Sequence, residues 1–162
     1  MSYHPHVYSP NVEKSVFKFT DSTVNSSITA NDRITIDSSG FSHTNISVNG
    51  SGQLVITSGE HVLCAAIVAT KNPTNTNVET ICEFQFYDIT NSQFIGVAGR
   101  RVVNRAQNAV TTCRAPLCIA YVDSAITVEL RCVAQSGSAV NAWNSLNLTW
   151  GFQSWGYVYS PI

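Results

Sequence analysis

Apolar and polar residues alternate along this chain in short runs, and breaks rich in Gly, Asn, Ser and Pro separate the runs. "SVFKFT" (Ser15–Thr20) and "DRITID" (Asp32–Asp37) each place every second residue on an apolar face. That is the period of a half-buried strand. "FSHTNISV" (Phe41–Val48) and "GQLVITS" (Gly52–Ser58) flank "NGSG", a hairpin-type turn. "EHVLCAAIVAT" (Glu60–Thr70) is a longer, nearly continuous apolar run and predicts a buried central strand. "VETICEFQFYDIT" (Val78–Thr90) sets Ile81, Glu83, Gln85 and Tyr87 against Cys82, Phe84, Phe86 and Asp88. "FIGVAGRRVV" (Phe94–Val103) follows a short turn. "AVTTCRAPLCIAYVD" (Ala109–Asp123) is interrupted at Pro116, which predicts a bulged strand or two strands. "AITVELRCVAQ" (Ala125–Gln135) sets Ile126, Val128, Leu130 and Cys132 against Thr127, Glu129, Arg131 and Val133. "LNLTWGFQSWGYVYS" (Leu146–Ser160) closes the pattern.

No long stretch carries helical periodicity. Eight to ten strands without crossover helices predict an all-β fold, an antiparallel β-sandwich of the jelly-roll type. The expected organisation is an extended N-terminal arm over residues 1–14 and a single jelly-roll domain over residues 15–162. An immunoglobulin-like sandwich fits less well. Its Cys…Trp…Cys spacing is missing, since Trp143, Trp150 and Trp155 all lie near the end of the chain.

Composition changes this picture in one respect. Of 162 residues, 44% are hydrophobic and only 12% are charged, about half the usual charged share. Ser, Thr and Asn do the polar work. A surface poor in charge suits a protein that buries much of its outside against other chains, because interface cores are depleted of charge. The net charge is −1, so nucleic-acid binding has no electrostatic footing. No apolar run reaches membrane-spanning length. The N-terminus lacks the basic and apolar regions of a signal peptide, so synthesis in a host cytoplasm is expected. The five cysteines sit in apolar, strand-like settings, where buried thiols are the default and a disulfide framework is not expected.

Catalytic chemistry finds little support, and neither an enzyme nor a cofactor is expected. His43 falls on a predicted strand among Ser and Thr, and His61 follows Glu60 at a strand start. No Gly-x-Ser-x-Gly motif is present. Glu83, Asp88 and Glu129 could in principle form a carboxylate pair, but solvated strand faces or interface hydrogen bonds explain them better. His4 and His6, two apart in an extended segment, could gather around a metal only on the axis of an oligomer, and no metal site is expected. The dense feature is the C-terminal run of rings. Trp143, Trp150, Trp155, Tyr157 and Tyr159, with Tyr3, His4, His6 and Tyr8 of the arm, are the candidate interface or binding residues. Such rings could anchor a subunit contact or stack on a sugar.

The alternating "AITVELRCVAQ", the small-residue loop "SGSAVNA" and the closing "SLNLTWGFQSWGYVY" resemble the end of tumour-necrosis-factor-like and complement-globular-head jelly rolls. They are also similar to the single jelly rolls of viral capsid and fibre-head proteins. The resemblance implies a trimer, or a pentamer at a capsid vertex, and no catalytic residues. The expected function is a structural virion protein (a capsid, vertex or fibre-head component) assembled as a symmetric ring. Its expected partners are itself, other virion proteins, and a host glycan or receptor. The alternative is a carbohydrate- or receptor-binding β-sandwich module. Val-Tyr-Ser-Pro occurs at residues 7–10 and again at Val158–Pro161, each time where a strand-like segment stops at proline. This predicts that the chain ends lie side by side, with the arm lying on a neighbouring subunit. Deleting residues 1–10 is therefore expected to weaken assembly, read by light scattering, and an unchanged oligomer would remove the arm from the interface.

Overall fold

The structure is a computed structural model, and it describes residues 12–19, 27–28, 30–71, 80–103, 110–136, 140–143 and 155–161. The described strands are β1 (Val12–Phe19), β2 (Ser27–Ile28), β3 (Arg33–Ile34), β4 (Ile36–Asp37), β5 (Ile46–Val48), β6 (Leu54–Ile56) and β7 (Gly59–Lys71). They continue as β8 (Thr80–Asp88), β9 (Gln93–Val103), β10 (Val110–Val122), β11 (Ile126–Ser136), β12 (Val140–Trp143) and β13 (Trp155–Pro161). Three of these are only two residues long, and the remaining ten match the upper end of the expected count.

The strands form two antiparallel sheets packed as a sandwich. In the first sheet β7 lies between β10 on one side and β13 with β12 on the other; β13 continues to β1 and β4, and β12 to β2. The second runs β5–β6–β11–β8–β9, with β3 also on β11. The core fills the space between them. Phe17, Phe19, Leu63, Ile67 and Val158 of the first sheet meet Leu54, Ile56, Phe84, Phe86, Val128 and Leu130 of the second, all buried. The alternation in β1, β8 and the first part of β11 points inward the residues that the apolar pattern selects. Glu129 is nevertheless buried on the other side of β11.

Two features are finer than the alternation. Asp32–Asp37 is not one strand: β3 pairs with β11 in the second sheet, and β4 pairs with β1 in the first. The chain crosses between sheets at Thr35, so Ile34 and Ile36 both reach the core. Strands that switch sheets make the corners of such sandwiches. The predicted strand Phe41–Val48 keeps only Ile46–Val48. Over residues 41–45 the backbone bonds to side chains instead: the Thr44 N–H donates to Glu13 Oε1 and the Asn45 N–H to His43 Nδ1. Side-chain acceptors that take backbone donors, here Glu13 and His43, compete with ladder formation.

The hairpin β5–β6 turns as predicted. Asn49 Oδ1 accepts from the N–H groups of Ser51 and Gln53, and Gly52 adopts φ +70°. A Cβ at Gly52 would also strike Thr35. In β10 the register shifts between Ala115 and Cys118, around Pro116, so a single bulged strand is observed.

Gly156 marks the tightest approach in the core. A Cβ there would lie 2.0 Å from the Phe17 ring, and Phe17 itself is wedged edge-on against Phe19 and Phe41. Gly156→Ala is expected to destabilise the fold by about 1–3 kcal/mol. That corresponds to about 2–4 °C in Tm per kcal/mol for a chain of this size. Thermal unfolding of G156A alone and with Phe17→Leu checks it, and the double variant should recover part of the loss.

Candidate functional site

The last strand decides where the site lies. In β13, Gly156, Val158 and Ser160 are buried, whereas Tyr157 and Tyr159 are half-buried and alternate onto the outer face of the first sheet. Lys14 of β1 and Val62 of β7 sit opposite Tyr159, and Ile119 of β10 sits opposite Val62. One row thus crosses four strands. The next row holds Val16, Tyr157 and Cys64. Val12 and Val16 are 47% exposed, Ile119 is 53% and Tyr121 is 75%. These are large apolar side chains on the outer face of one sheet, on β10 at one side and β1 at the other, with Lys14 and Glu60 exposed among them.

The rings are held in place. The Tyr157 and Tyr159 centroids lie 5.9 Å apart. Lys14 Nζ sits 4.6 Å from the first centroid and 5.5 Å from the second. A cation over two ring faces fixes their orientation electrostatically. It also occupies the face that a sugar would need for stacking.

Of the predicted residues, Tyr157 and Tyr159 belong to this surface. The backbone of Trp155 pairs with Lys18 and Ala66 in the same ladders, and that of Trp143, on β12, pairs with Val68 of β7. Trp150 and the arm residues Tyr3, His4, His6 and Tyr8 lie outside the described residues. The pattern alone did not single out Val12, Val16, Ile119 and Tyr121, although their alternation with buried neighbours carries the signal.

The carboxylates do not converge. Asp88 faces inward and accepts from the backbone and side chain of Asn91 at the β8–β9 turn. Glu129 lies on the opposite face, bonded to Gln53 Nε2 at 2.8 Å and to Arg131. The Arg131 guanidinium stacks on Tyr87, 3.6 Å from the centroid. Glu83 shares that face but is four residues from Tyr87 along β8, about 13 Å away. Cys118 is buried, and burial pushes its thiol up to about 11. It is inert as a nucleophile.

One polar cluster was not visible in the sequence. Glu13, Ser160 and His61 follow one another across β1, β13 and β7, and His43 covers them from the loop before β5. Ser160 Oγ lies 2.6 Å from His61 Nδ1 and 2.9 Å from His43 Nε2. Ser160 is buried beneath the loop.

No family model matches this chain, and no curated protein matches it in sequence. Solved structures match its shape. Eiger TNF from S. frugiperda superposes with a TM-score of 0.59 at 9% identity, over 94% of each chain. Murine APRIL superposes with a TM-score of 0.55 at 7% identity, over 91% of this chain and 99% of its own. The chain has the tumour-necrosis-factor-like jelly-roll fold. Within this TNF-like sandwich the apolar outer face belongs to the sheet that holds both chain ends.

Proposed function

We propose that this protein is the subunit of a homo-oligomeric ring, a trimer, closed through the outer face of its first sheet, and that it serves as a structural or attachment head of a virus particle. The single observation that carries the assembly is the set of large apolar side chains exposed on that face, Ile119 and Tyr121 of β10 and Val12 and Val16 of β1, with Tyr157, Tyr159 and Val62 half-buried between the two strands. Apolar patches of this kind mark interaction sites. The rings of Tyr157 and Tyr159 between them are rigid anchors of the type that dominates interfaces. A closed ring requires two different contact regions on each copy, and a face spanning four strands is wide enough to supply both. The trimer is the number that the tumour-necrosis-factor-like resemblance implies. The virion setting rests on composition: 12% charged residues leave little hydrated surface for a free monomer. The role is structural, without catalysis, and synthesis is cytoplasmic.

Carbohydrate or receptor recognition remains compatible with the same head, but the tyrosine pair is already capped by Lys14. Sugar stacking there is disfavoured, and recognition falls to other surfaces of the assembled ring.

Size-exclusion chromatography with light scattering at micromolar concentration is expected to show a trimer, and a clean monomer overturns the proposal. Replacing Ile119 and Tyr121 together by Glu is expected to weaken association by about tenfold or more per chain, with the all-β circular dichroism retained. An unchanged oligomer would move the interface elsewhere. The protein is also expected to copurify with intact particles, and its absence from them would leave the ring without its virion role.

A further inference from the structure

The buried cluster at the end of the first sheet has a defined proton inventory. The Asn45 N–H donates to His43 Nδ1 at 3.2 Å. That nitrogen must therefore carry a lone pair, and the His43 proton sits on Nε2, 2.9 Å from Ser160 Oγ. His61 Nε2 lies 2.6 Å from the Ser58 carbonyl, which can only accept. The His61 proton is thus on Nε2, and Nδ1 accepts from the Ser160 hydroxyl at 2.6 Å. Every donor then has one acceptor, in a single direction: His43 to Ser160 to His61 to Ser58. The relay closes only when both rings are neutral.

An added proton has no place in this relay. On His43 it goes to Nδ1, donor against the Asn45 donor, and breaks one of the bonds that hold the loop. On His61 it goes to Nδ1 and forces the Ser160 hydroxyl to turn its hydrogen away. The two rings are 5.7 Å apart, so charging both adds repulsion.

Among the described residues around the cluster, β1 contributes Glu13, whose Oε2 lies 3.7 Å from His43 Nε2 and whose Oε1 accepts the Thr44 N–H. From β13 and β10 come Ser160 and Ala120, the register neighbours of Glu13 and His61, and neither titrates. Lys14 and Glu60 fall at alternate positions of β1 and β7 and are exposed on the outer face. Glu13 is therefore the only full charge within reach among the described residues.

We propose that Glu13, His43, Ser160 and His61 form a proton-operated latch that fastens loop 41–45 onto the end of β13 at neutral pH and releases it on acidification. Geometry carries the proposal, and the titration of His43 agrees. Desolvation holds its imidazole below the ordinary 6.5, outweighing the attraction of Glu13. A histidine depressed in the folded state binds fewer protons there than in the open state. The fastening is then complete above about pH 6.5 and is lost as pH falls through the folded value. The latch stands whether or not the ring forms, because it concerns contacts within one subunit.

The test is residue-resolved amide exchange together with imidazole ¹⁵N shifts on the intact chain, from about pH 7.5 to about pH 5. At the upper pH both rings should show the Nε2–H neutral form. On acidification below about pH 6.5 the amides of Thr44, Asn45 and Ser160 should open progressively, corrected for intrinsic rates, with about tenfold per pH unit as the upper limit for one linked proton. His43→Asn keeps an acceptor for the Asn45 N–H, and His61→Gln keeps a donor for Ser58. The pair H43N/H61Q should remain fastened and lose the pH dependence. Equal acceleration in that double variant, a charged ring at the upper pH, or unchanged protection after both rings protonate would each overturn the latch. If the double variant fails to fold, the wild-type comparison of ring protonation with amide opening decides alone.

Discussion

Pairing of the first described strand with the last organises this molecule. β1 and β13 run antiparallel from Val12 opposite Pro161 to Lys18 opposite Trp155. The two strands are almost the whole chain apart in sequence, so the ladder forms only once the rest of the sandwich has brought its ends together. Such non-local pairing is costly in loop-closure entropy and correspondingly cooperative. Everything of interest hangs on its register. It sets Gly156 under Phe17, turns Tyr157 and Tyr159 outward beside Val16 and Lys14, and brings Glu13 beside Ser160. A slip of one residue would exchange the two faces and bury the tyrosines where the core leaves no room.

The same alternation explains what could be read from the sequence. Period two is a local property, so the inward sets of β1, β8 and the start of β11 were legible residue by residue. The hairpin at Asn49–Gly52 and the bulge at Pro116 were legible too, since Gly, Asn and Pro act on their own backbone. The crossing at Thr35 was not, because an uninterrupted alternation looks the same whether its two halves join one sheet or two. The polar cluster was also invisible. His43 and Ser160 stand 117 positions apart, and His61 and Ser160 stand 99 apart. Such separations carry no local pattern. The strand expected over Phe41–Val48 lost its first five residues for a related reason: Glu13 takes a backbone donor that a ladder would otherwise have used.

The scarcity of charge becomes intelligible on the folded molecule. The carboxylates Glu13, Asp88 and Glu129 are each engaged in specific hydrogen bonds rather than left to solvent. Arg131 and Lys14 lie flat over aromatic rings. These charges orient neighbouring groups. The outer face of the first sheet mixes valine, isoleucine and tyrosine with the exposed Lys14, Lys18 and Glu60.

The bulge in β10 has a consequence beyond shape. Among the described residues β10 joins a ladder with β7 alone; β9 of the other sheet lies beside it, yet a thirteen-residue strand without a second ladder partner is a template for sheet addition by other chains. Pro116 offers no N–H, and the register shift beside it breaks the row of donors and acceptors midway. A foreign strand meets an interrupted edge. The chain can thus carry a sticky face and still be steered away from fibrous growth.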